Sequence, residues 1–297
     1  MNKKTKLTYK VIESHFEPFL YKLRPKTYNH ETIQDLLNKA EKGKTGDGKS
    51  KSLFWSDKKY IVKTMTPYEY THFQTTAESY VKHILESKEN TLLNIIYAVY
   101  DIRVRNRNTL RVIVTNNILN PINNPEKSYK FDLKGAIKGR LVNTNEPPTK
   151  TRKDRNLCPF WHPAKWRSID CSYPFIISKT DYDKLMVKLD NDSTFLRKSS
   201  IMDYSLFVVF SNSKKKIDQP GLYSIKLKQP HPLQPRAKMV VMGMIDILTS
   251  WSWYRTSASI IQNKGHIFSS RRDQSQVAPY AYKLRFMRFF KTAFKSG

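Results

Sequence analysis

Residues 201–210 read Ile-Met-Asp-Tyr-Ser-Leu-Phe-Val-Val-Phe, in which one acidic residue is followed by an unbroken apolar run. The run from Ser205 to Phe210 is short and rich in β-branched and aromatic residues, which predicts a buried strand. Asp203 would then lie at the entrance of that strand, where a carboxylate can face a cleft. In isolation, however, this aspartate fits a turn residue or a strand cap better than a catalytic acid.

Two other apolar segments each carry a single charged residue. Residues 240–248 predict a strand interrupted by the carboxylate of Asp246, and residues 60–64 predict a strand with one inward-placed lysine, Lys63. Mg²⁺ prefers oxygen ligands, and a lysine on a rigid strand can hold nucleotide phosphates. One lysine and two acids, each on its own apolar strand, therefore indicate a site for phosphate and metal.

The composition is that of a strongly basic folded protein. With 297 residues the chain can bury a full core as one large domain or two lobes. Apolar residues make up 39% and aromatic residues 12% of the chain, which excludes a disordered tail. Lys and Arg number 53 against 25 Asp and Glu, and this net charge of +28 predicts attraction to a polyanion such as nucleic acid or an anionic membrane.

The two cysteines, Cys158 and Cys171, are too few for a disulfide framework and favour a reducing compartment. A zinc site that combines them with His162 is rejected, because three ligands at irregular spacing do not close a structural site. The basic N-terminus lacks an apolar segment behind it, and no stretch approaches the roughly 18 apolar residues of a membrane span. We therefore expect a cytoplasmic protein that is soluble or peripherally bound to membranes.

Hydrophobic periodicity predicts an ordered series of elements in the first part of the chain. The predicted elements are helices in 9–23 and 33–40, a glycine-containing basic turn at 43–52, strands at 53–55 and 60–62, a helix at 73–85, and strands at 98–105 and 109–115. Turn, strand, lysine, helix and strands follow in the order of a protein-kinase-like small lobe. No His-Arg-Asp or Asp-Phe-Gly motif appears later in the chain.

The second part of the chain is less regular. It predicts a long loop or insert at 143–174, a helix at 182–189, a surface hairpin at 213–236, a helix from Trp251 to about residue 262, and a basic amphipathic helix at 280–294. The last of these is expected to pack on the larger lobe rather than to enter lipid.

Four segments resemble, in the correct order, the signatures of phosphatidylinositol phosphate kinases. Asp-Leu-Lys-Gly at 132–135 resembles the first signature, and Ile-Met-Asp-Tyr-Ser-Leu at 201–206 is similar to the second. Gly-Met-Ile-Asp at 243–246 resembles the family's metal-binding strand, and residues 277–286 resemble the start of its C-terminal helix. Residues 48–55 also resemble the glycine-rich loop, with Lys51 where a glycine is usual. Residues 190–196 are closer to the PIKfyve-like branch of the family than to its type I and type II branches.

The resemblance covers roughly residues 30–294 and implies a fold. That fold is α+β, two-lobed and protein-kinase-like, of the phosphatidylinositol phosphate kinase (SAICAR synthase-like) type, with antiparallel sheets and flanking helices. The chain would be a single catalytic domain over 1–297. The N-lobe would span about 1–120 and contain the glycine-containing loop, and the C-lobe would span about 121–297 and contain the catalytic and activation loops.

The resemblance also implies roles for residues that match the motifs. Lys63 matches the lysine that anchors ATP, and Asp246 matches the acid that binds Mg²⁺. Asp203 matches the catalytic-loop acid that orients the inositol hydroxyl. Lys134 and Arg140 match basic residues near the transferred phosphate and the lipid head group, where negative charge needs a cation.

Two loops complete the implied site. Gly48, Ser50 and Ser52 would contribute to the loop that covers the nucleotide, although Lys51 puts the closure of that loop in question. Residues 263–276 occupy the place of the activation loop, and their basic side chains suit a phosphorylated inositol on an anionic bilayer. These side chains are Lys264, Arg271 and Arg272.

The implied reaction moves the γ-phosphate of ATP to a hydroxyl of a phosphatidylinositol monophosphate. The product would be a bisphosphate, with the 4,5-isomer favoured ahead of the 3,5-isomer. ATP, Mg²⁺, the lipid substrate and an anionic membrane surface are the expected partners, a homodimer is allowed, and no specific nucleic acid is expected. Two alternatives stay open: a phosphoinositide-binding pseudokinase, supported by Lys51, and a nucleic-acid-binding protein, supported by the net charge but by no recognisable module.

Overall fold

The computed structural model describes residues 9–13, 16–26, 28–39, 44–45, 53–104, 109–143, 150–160, 171–251 and 277–297. The chain forms two compact units. The first unit comprises Met1–Glu86 and Ile95–Asn120, and the second comprises Ser87–Asn94 and Pro121–Gly297. Among the described residues, no helix is both long enough and apolar enough to cross a membrane.

The first unit is built on a six-stranded antiparallel sheet with the strand order β1-β5-β6-β4-β3-β2. Its strands are β1 (Tyr9–Glu13), β2 (Lys44–Thr45), β3 (Leu53–Ser56), β4 (Tyr60–Thr64), β5 (Ile96–Val104) and β6 (Leu110–Asn116). Its helices are α1 (Glu17–Leu20), α2 (His30–Lys39) and α3 (Pro67–Ser87). The predicted hairpin of β3 and β4, the helix α3 and the strands β5 and β6 are confirmed.

The two faces of this sheet carry different helices. Ile33 and Leu37 of α2 pack in a buried cluster with Tyr60 and Val62 of β4. Because side chains alternate along a strand, Lys63 lies on the opposite face. Arg111 of β6 shares that face, and its guanidinium lies over the ring of Tyr70 in α3, 4.0 Å from the centroid. Lys63 therefore belongs to the face that carries α3.

The prediction of a helix across residues 9–23 is wrong for the first half of that range. Residues Tyr9–Glu13 form β1, which pairs along its whole length with β5. Apolar residues three and four apart fit a helix locally, but pairing with a strand about ninety residues later overrides that preference. The expected helix across residues 33–40 is confirmed by α2, whose Ile33 and Leu37 are fully buried.

The second unit contains a six-stranded sheet with the order β11-β12-β13-β10-β7-β8 and a two-stranded sheet of β14 and β9. Neighbours in the larger sheet are antiparallel except β7 and β8, and β14 and β9 are also parallel. The strands are β7 (Lys130–Leu133), β8 (Arg152–Lys153), β9 (Phe175–Ile177), β10 (Ser205–Ser211), β11 (Asp218–Gln219), β12 (Leu222–Lys226), β13 (Met239–Ile245) and β14 (Phe294–Ser296). The helices are α4 (Asp154–Leu157), α5 (Lys179–Lys198) and α6 (Pro279–Ala293).

Aromatic side chains fill the core of the second unit. The rings of Phe131, Phe175 and Phe210 contact one another at centroid distances of 5.6 to 6.2 Å. Tyr282 and Phe286 of α6 are fully buried, as are two further phenylalanines of that helix. Each buried ring of this size stabilises the fold by about 1.5–3 kcal/mol relative to an exposed one. The prediction that the C-terminal amphipathic helix packs on the protein is therefore confirmed.

Residues 87–94 belong to the second unit because α5 and β13 hold them. The buried carboxylate of Asp192 accepts hydrogen bonds from the Thr91 hydroxyl at 2.8 Å and the Leu92 N–H at 2.6 Å. The Asn94 N–H donates to the Met244 carbonyl at 2.8 Å. The predicted helix at 182–189 is thus part of a longer one, since α5 continues through Asp192 to Lys198.

Two segments, predicted as a loop or insert and as a surface hairpin, contain buried structure. The segment 143–174 was expected to be an insert, yet it provides β8 and α4, and Asp154 in α4 has no exposed surface. The segment 213–236 forms the predicted hairpin, made of β11 and β12, but β12 is a buried strand between β11 and β13 rather than a surface strand. Both segments are polar and rich in Lys and Pro, and their few apolar residues did not indicate burial.

Cys158 and Cys171 form a disulfide, and their Cα atoms lie 4.3 Å apart. Cys158 follows α4, and the chain returns beside it, where the Tyr173 N–H donates to the Leu157 carbonyl. A single bond is not a framework, but it removes the cysteine count as an argument for a reducing compartment. His162 lies outside the described residues.

Candidate active site

Lys134, Asp203 and Asp246 lie at one end of the larger sheet in the second unit. Lys134 follows the last residue of β7, Asp246 follows the last residue of β13, and Asp203 stands two residues before the start of β10. The register pairs Leu133 with Leu206 and Ser205 with Ile245. Because β10 is antiparallel to both neighbours, its start coincides with their ends. We call this end of the sheet, defined by Lys134, Asp203 and Asp246, the site end.

The ammonium group of Lys134 connects these residues. Its Nζ donates hydrogen bonds to the Asp203 carboxylate at 2.9 Å and to the Asp203 carbonyl at 2.7 Å. Burial lowers the pKa of Lys134, but attraction to Asp203, Asp246 and Asp132 outweighs burial and raises that pKa above its usual value. The lysine is therefore a fixed cation within a group of three carboxylates.

Both candidate acids adopt left-handed backbone conformations. The φ angle is 62° at Asp203 and 59° at Asp246. Non-glycine residues rarely occupy this region, where the conformation costs about 1–2 kcal/mol, and such residues cluster at functional sites. Asp203 stands at the entrance of a strand, as predicted, but the prediction that Asp246 lies within a strand is corrected. Asp203 lies just before a strand with its side chain 19% exposed, and Asp246 lies just after a strand and is exposed.

The buried carboxylate of Asp154 holds the segment that follows β7. It accepts hydrogen bonds from the Lys134 N–H at 2.8 Å, the Gly135 N–H at 2.5 Å and Nε of Arg140 at 2.6 Å. Sequence reasoning missed this residue. Its signal was that Asp154 is the only acid between Glu146 and Asp170, in an otherwise basic stretch.

Arg140 bridges two aspartates. Besides the bond to Asp154, its guanidinium donates to the backbone carbonyl of Asp132 and, at 3.3 Å, to the Asp132 carboxylate. Burial lowers the pKa of Arg140, but Asp154 and Asp132 outweigh that effect and raise it. In this structure Arg140 thus orders the backbone beside Lys134, and its contact with phosphate stays a prediction.

Gly135 lets helix α6 lie directly against the site end. Its φ is +68°, and a Cβ atom built there would lie 3.0 Å from Cβ of Phe289 and 3.2 Å from the Arg285 carbonyl oxygen. The Tyr282 hydroxyl, also in α6, donates to the carbonyl of Tyr204. The helix therefore supports both the glycine after Lys134 and the residue after Asp203.

Lys63 lies in the first unit, in the middle of β4, where it pairs with Phe54 of β3 and Ile113 of β6. Two acids of α3, Glu69 and Glu78, are predicted from the sequence as possible ion-pair partners of Lys63, and Glu69 caps the helix. Its carboxylate accepts from the Thr66 N–H at 2.8 Å and from the Thr66 hydroxyl at 3.0 Å. The other acid, Glu78, is exposed.

The remaining predicted site residues lie outside the described residues. They are Gly48, Ser50, Ser52, Lys264, Arg271 and Arg272. The structure therefore brings Lys134, Arg140, Asp203 and Asp246 together in the second unit and describes Lys63 in the first.

The chemistry of the site end suits a magnesium ion held jointly with phosphate. The described residues contain no group of three His, Cys, Asp or Glu side chains placed to hold a metal by themselves. Mg²⁺ usually takes one or two carboxylates and completes its shell with substrate phosphates and water. The exposed carboxylate of Asp246, with Asp203 at the same end of the sheet, fits that donor set.

Residues 36–230 match the family model for phosphatidylinositol-4-phosphate 5-kinase. The match includes Lys63, Lys134, Arg140 and Asp203 and ends before Asp246.

Three relatives with assigned names are similar to this chain. A protein of Drosophila melanogaster named "Putative 1-phosphatidylinositol 3-phosphate 5-kinase" is 27% identical over 85% of this chain and 12% of its own length. The 1-phosphatidylinositol 3-phosphate 5-kinase FAB1 of Saccharomyces cerevisiae is 24% identical over 82% of this chain and 10% of its own length. The phosphatidylinositol 4-phosphate 5-kinase of Plasmodium falciparum is 26% identical over 90% of this chain and 16% of its own length. The chain thus spans only a small part of the length of these relatives.

Proposed function

The chain belongs to the phosphatidylinositol-4-phosphate 5-kinase family, and from this premise we propose that it phosphorylates a phosphatidylinositol monophosphate with ATP. The observation that carries the proposal is the group formed by Lys134, Asp203 and Asp246 at the site end. It combines a buried cation with two carboxylates in left-handed turns. The product is a phosphatidylinositol bisphosphate, with the 4,5-isomer first and the 3,5-isomer next.

Asp203 orients the acceptor hydroxyl and takes its proton. The hydroxyl oxygen bonds to the γ-phosphorus as the bond from phosphorus to the ADP oxygen breaks, and the hydroxyl proton moves to the carboxylate. Lys134 holds Oδ1 of Asp203 at 2.9 Å, so we assign the hydroxyl to Oδ2. The protonated Lys134 also neutralises charge that develops on the transferred phosphoryl group.

The two units take different tasks in this proposal, as the lobes of a kinase do. Lys63 lies in the middle of β4 on the face of the sheet that carries α3, and we assign it to the phosphates of ATP. Asp246 is assigned to the metal. Mg²⁺, when bound, would neutralise nucleotide phosphate charge. Arg140 acts as a positioning residue through its bonds to Asp154 and Asp132.

The basic surface brings the protein to its lipid substrate. A net charge of +28 favours an anionic bilayer, where each basic residue near the surface contributes about 1 kcal/mol. We therefore propose peripheral binding at a membrane, with Lys264, Arg271 and Arg272 reading the head group.

The decisive experiment is a lipid-kinase assay with the full chain. Anionic vesicles would present the 3-, 4- and 5-monophosphates separately with ATP and Mg²⁺, and the Asp203→Asn and Asp246→Asn variants would be compared with Asp183→Asn. Asp183 is an exposed carboxylate on α5 that pairs with Lys179, so this control makes the same chemical change away from the site. Loss of a general base or of a charge-stabilising group lowers turnover by about 10²–10⁴-fold.

Phosphate incorporation by the unchanged chain and by Asp183→Asn, but not by the two site variants, is the expected result. The preferred monophosphate then identifies the hydroxyl that is phosphorylated. Equal turnover by Asp203→Asn would overturn the assignment of the base. Binding of ATP and Mg²⁺ with no incorporation by any version would identify a pseudokinase instead.

A further inference from the structure

A basic pocket lies at the other end of the larger sheet in the second unit. Its volume is about 590 Å³, within the range of small-ligand sites. Four lysines line it together with one acidic residue, Asp181, and the buried Met239. The lysines are Lys214, Lys216, Lys226 and Lys238, and we call the cavity that they line the lysine pocket.

The strand register separates the lysine pocket from the site end. Lys238 precedes the first residue of β13, whereas Asp246 follows its last residue. Lys226 ends β12, and its register partner is Met239. A seven-residue strand spans about 20 Å from one end to the other. One inositol head group cannot reach both places, so the lysine pocket is not an extension of the proposed substrate site.

The charge of the lysine pocket is poorly balanced by the protein itself. Among the residues that the structure describes, Asp181 is the only acid that lines it, and its carboxylate lies 3.8 Å from Nζ of Lys216. The same carboxylate accepts from the Ser178 hydroxyl at 2.8 Å and from the Tyr223 hydroxyl at 3.5 Å. Among the described residues, four lysines therefore line the pocket together with one carboxylate, which also accepts from two hydroxyl groups.

Paired strands hold the backbone of two of these lysines in place. Lys226 and Lys238 flank the paired part of β12 and β13, where Tyr223 and Val240 are buried. The Leu227 N–H donates to the Lys238 carbonyl at 2.9 Å, and the Lys238 N–H donates to the Ser211 carbonyl at 3.0 Å. Backbone positions fixed in this way reduce the entropy lost when the ammonium groups converge on a ligand.

We propose that the lysine pocket binds an anion with several phosphate groups, as a free sugar phosphate or as the head group of a lipid. Ammonium groups act as point charges for phosphate, and several of them around one concave site favour clustered phosphates over a single carboxylate. The proposal does not rest on lipid-kinase activity, since it concerns binding at the end of the sheet remote from Asp203.

The test compares two double variants of the full chain that remove the same charge. Lys226→Gln/Lys238→Gln changes the lysine pocket, whereas Lys215→Gln/Lys228→Gln changes two exposed lysines that do not line it. The probes are soluble inositol 1,4,5-trisphosphate, vesicles containing phosphatidylinositol 4,5-bisphosphate, and phosphatidylserine vesicles of equal total charge. Binding is measured directly, so the result stands whether or not the chain turns over substrate.

We expect the pocket variant to lose about tenfold or more in affinity for at least one of the two multiply phosphorylated probes relative to the control variant. Loss with both probes indicates recognition of the head group alone, and loss only with vesicles indicates a lipid-borne ligand. Asp181→Asn removes the acid that lines the pocket among the described residues and should strengthen binding of the same probe. Equal affinities of the two double variants, or a loss confined to phosphatidylserine vesicles, would overturn the proposal.

Discussion

The two ends of the larger sheet in the second unit both concentrate basic residues but differ in how the charge is balanced. At the site end, Lys134 and Arg140 are buried, and both bind carboxylates. At the other end, the four lysines of the lysine pocket are exposed, and Asp181 is the one acid among the described residues that lines the pocket with them. Burying an unpaired charge costs far more than exposing one, so burial at the site end requires carboxylate partners.

This difference separates two uses of positive charge in a very basic protein. Paired and buried cations have fixed positions, which suits a reaction that depends on orientation. Exposed lysines keep their mobility and attract anions through their combined field. The net charge of +28 therefore does not predict the properties of either end, because it does not distinguish buried, paired cations from exposed ones.

The largest expected effect comes from the acid that balances charge at the site end. Asp154→Asn would leave Arg140 with one charged partner fewer and weaken the acceptor for the Lys134 and Gly135 N–H groups. Removing one member of a buried ion pair costs about 3–5 kcal/mol of unfolding free energy. Urea denaturation of the full chain would measure this change.

Asp181→Asn is the matched control at the other end of the sheet. Its ion pair with Lys216 is long and solvent-exposed on the lysine side, and such pairs contribute about 0–1 kcal/mol. Similar losses of unfolding free energy in Asp154→Asn and Asp181→Asn would contradict the proposed difference between the two ends, in which buried ion pairs stabilise the site end and exposed lysines line the other.

A second, smaller effect is a pH dependence of stability that differs between the two ends. His231 packs near the lysine-pocket end against Phe175 and Phe210, and its Nε2 lies 3.0 Å from the Tyr173 carbonyl. Burial lowers its pKa from 6.5 to about 4, although the hydrogen bond with Tyr173 opposes the change. Between these values the unfolded chain binds more protons, so stability falls as the pH falls from 6.5 to about 4, by about 3 kcal/mol at most.

Asp132, beside the site end, should respond only at lower pH. Burial raises the pKa of Asp132, but Arg140 and Lys134 outweigh burial and hold it below the usual 3.8. Its stabilising charge is therefore lost only as the pH falls below that value. Unfolding free energies at pH 7, 5.5 and 4.5 for the unchanged chain and for His231→Gln would separate the two contributions. If the unfolding free energy of His231→Gln still falls between pH 7 and pH 4.5, groups other than His231 cause the pH dependence.

Local sequence was sufficient to predict the acids of the site end and its lysine. Asp203 and Asp246 stand beside short apolar strands, and Lys134 lies in a motif that resembles the kinase signature. Antiparallel register then brings these positions together without further information, since adjacent strand ends must meet.

Residues whose roles depend on distant contacts could not be found in this way. Asp154 is buried by β7 and α4, and its basic flanking residues suggest a solvated loop. The pairing of β1 with β5 joins residues about ninety positions apart, and apolar spacing within β1 also fits a helix. The pairing of Cys158 with Cys171 likewise depends on how the chain returns past α4.

The smallest expected effect tests whether the backbone at the site end is held in place by its close packing against α6. Gly135 and Gly139 share a φ of +68°, so an alanine at either position pays the same left-handed strain of about 1–2 kcal/mol. A new Cβ at Gly139 meets no atom within 4 Å, whereas one at Gly135 presses on Phe289 and on the Arg285 carbonyl of α6. Gly135→Ala should therefore cost about 1–3 kcal/mol more than Gly139→Ala in urea denaturation, because α6 has to move. Equal losses of unfolding free energy in the two variants would show that α6 can shift away from residue 135 at no cost. Contact with α6 would then not be what fixes the positions of Lys134 and Asp203.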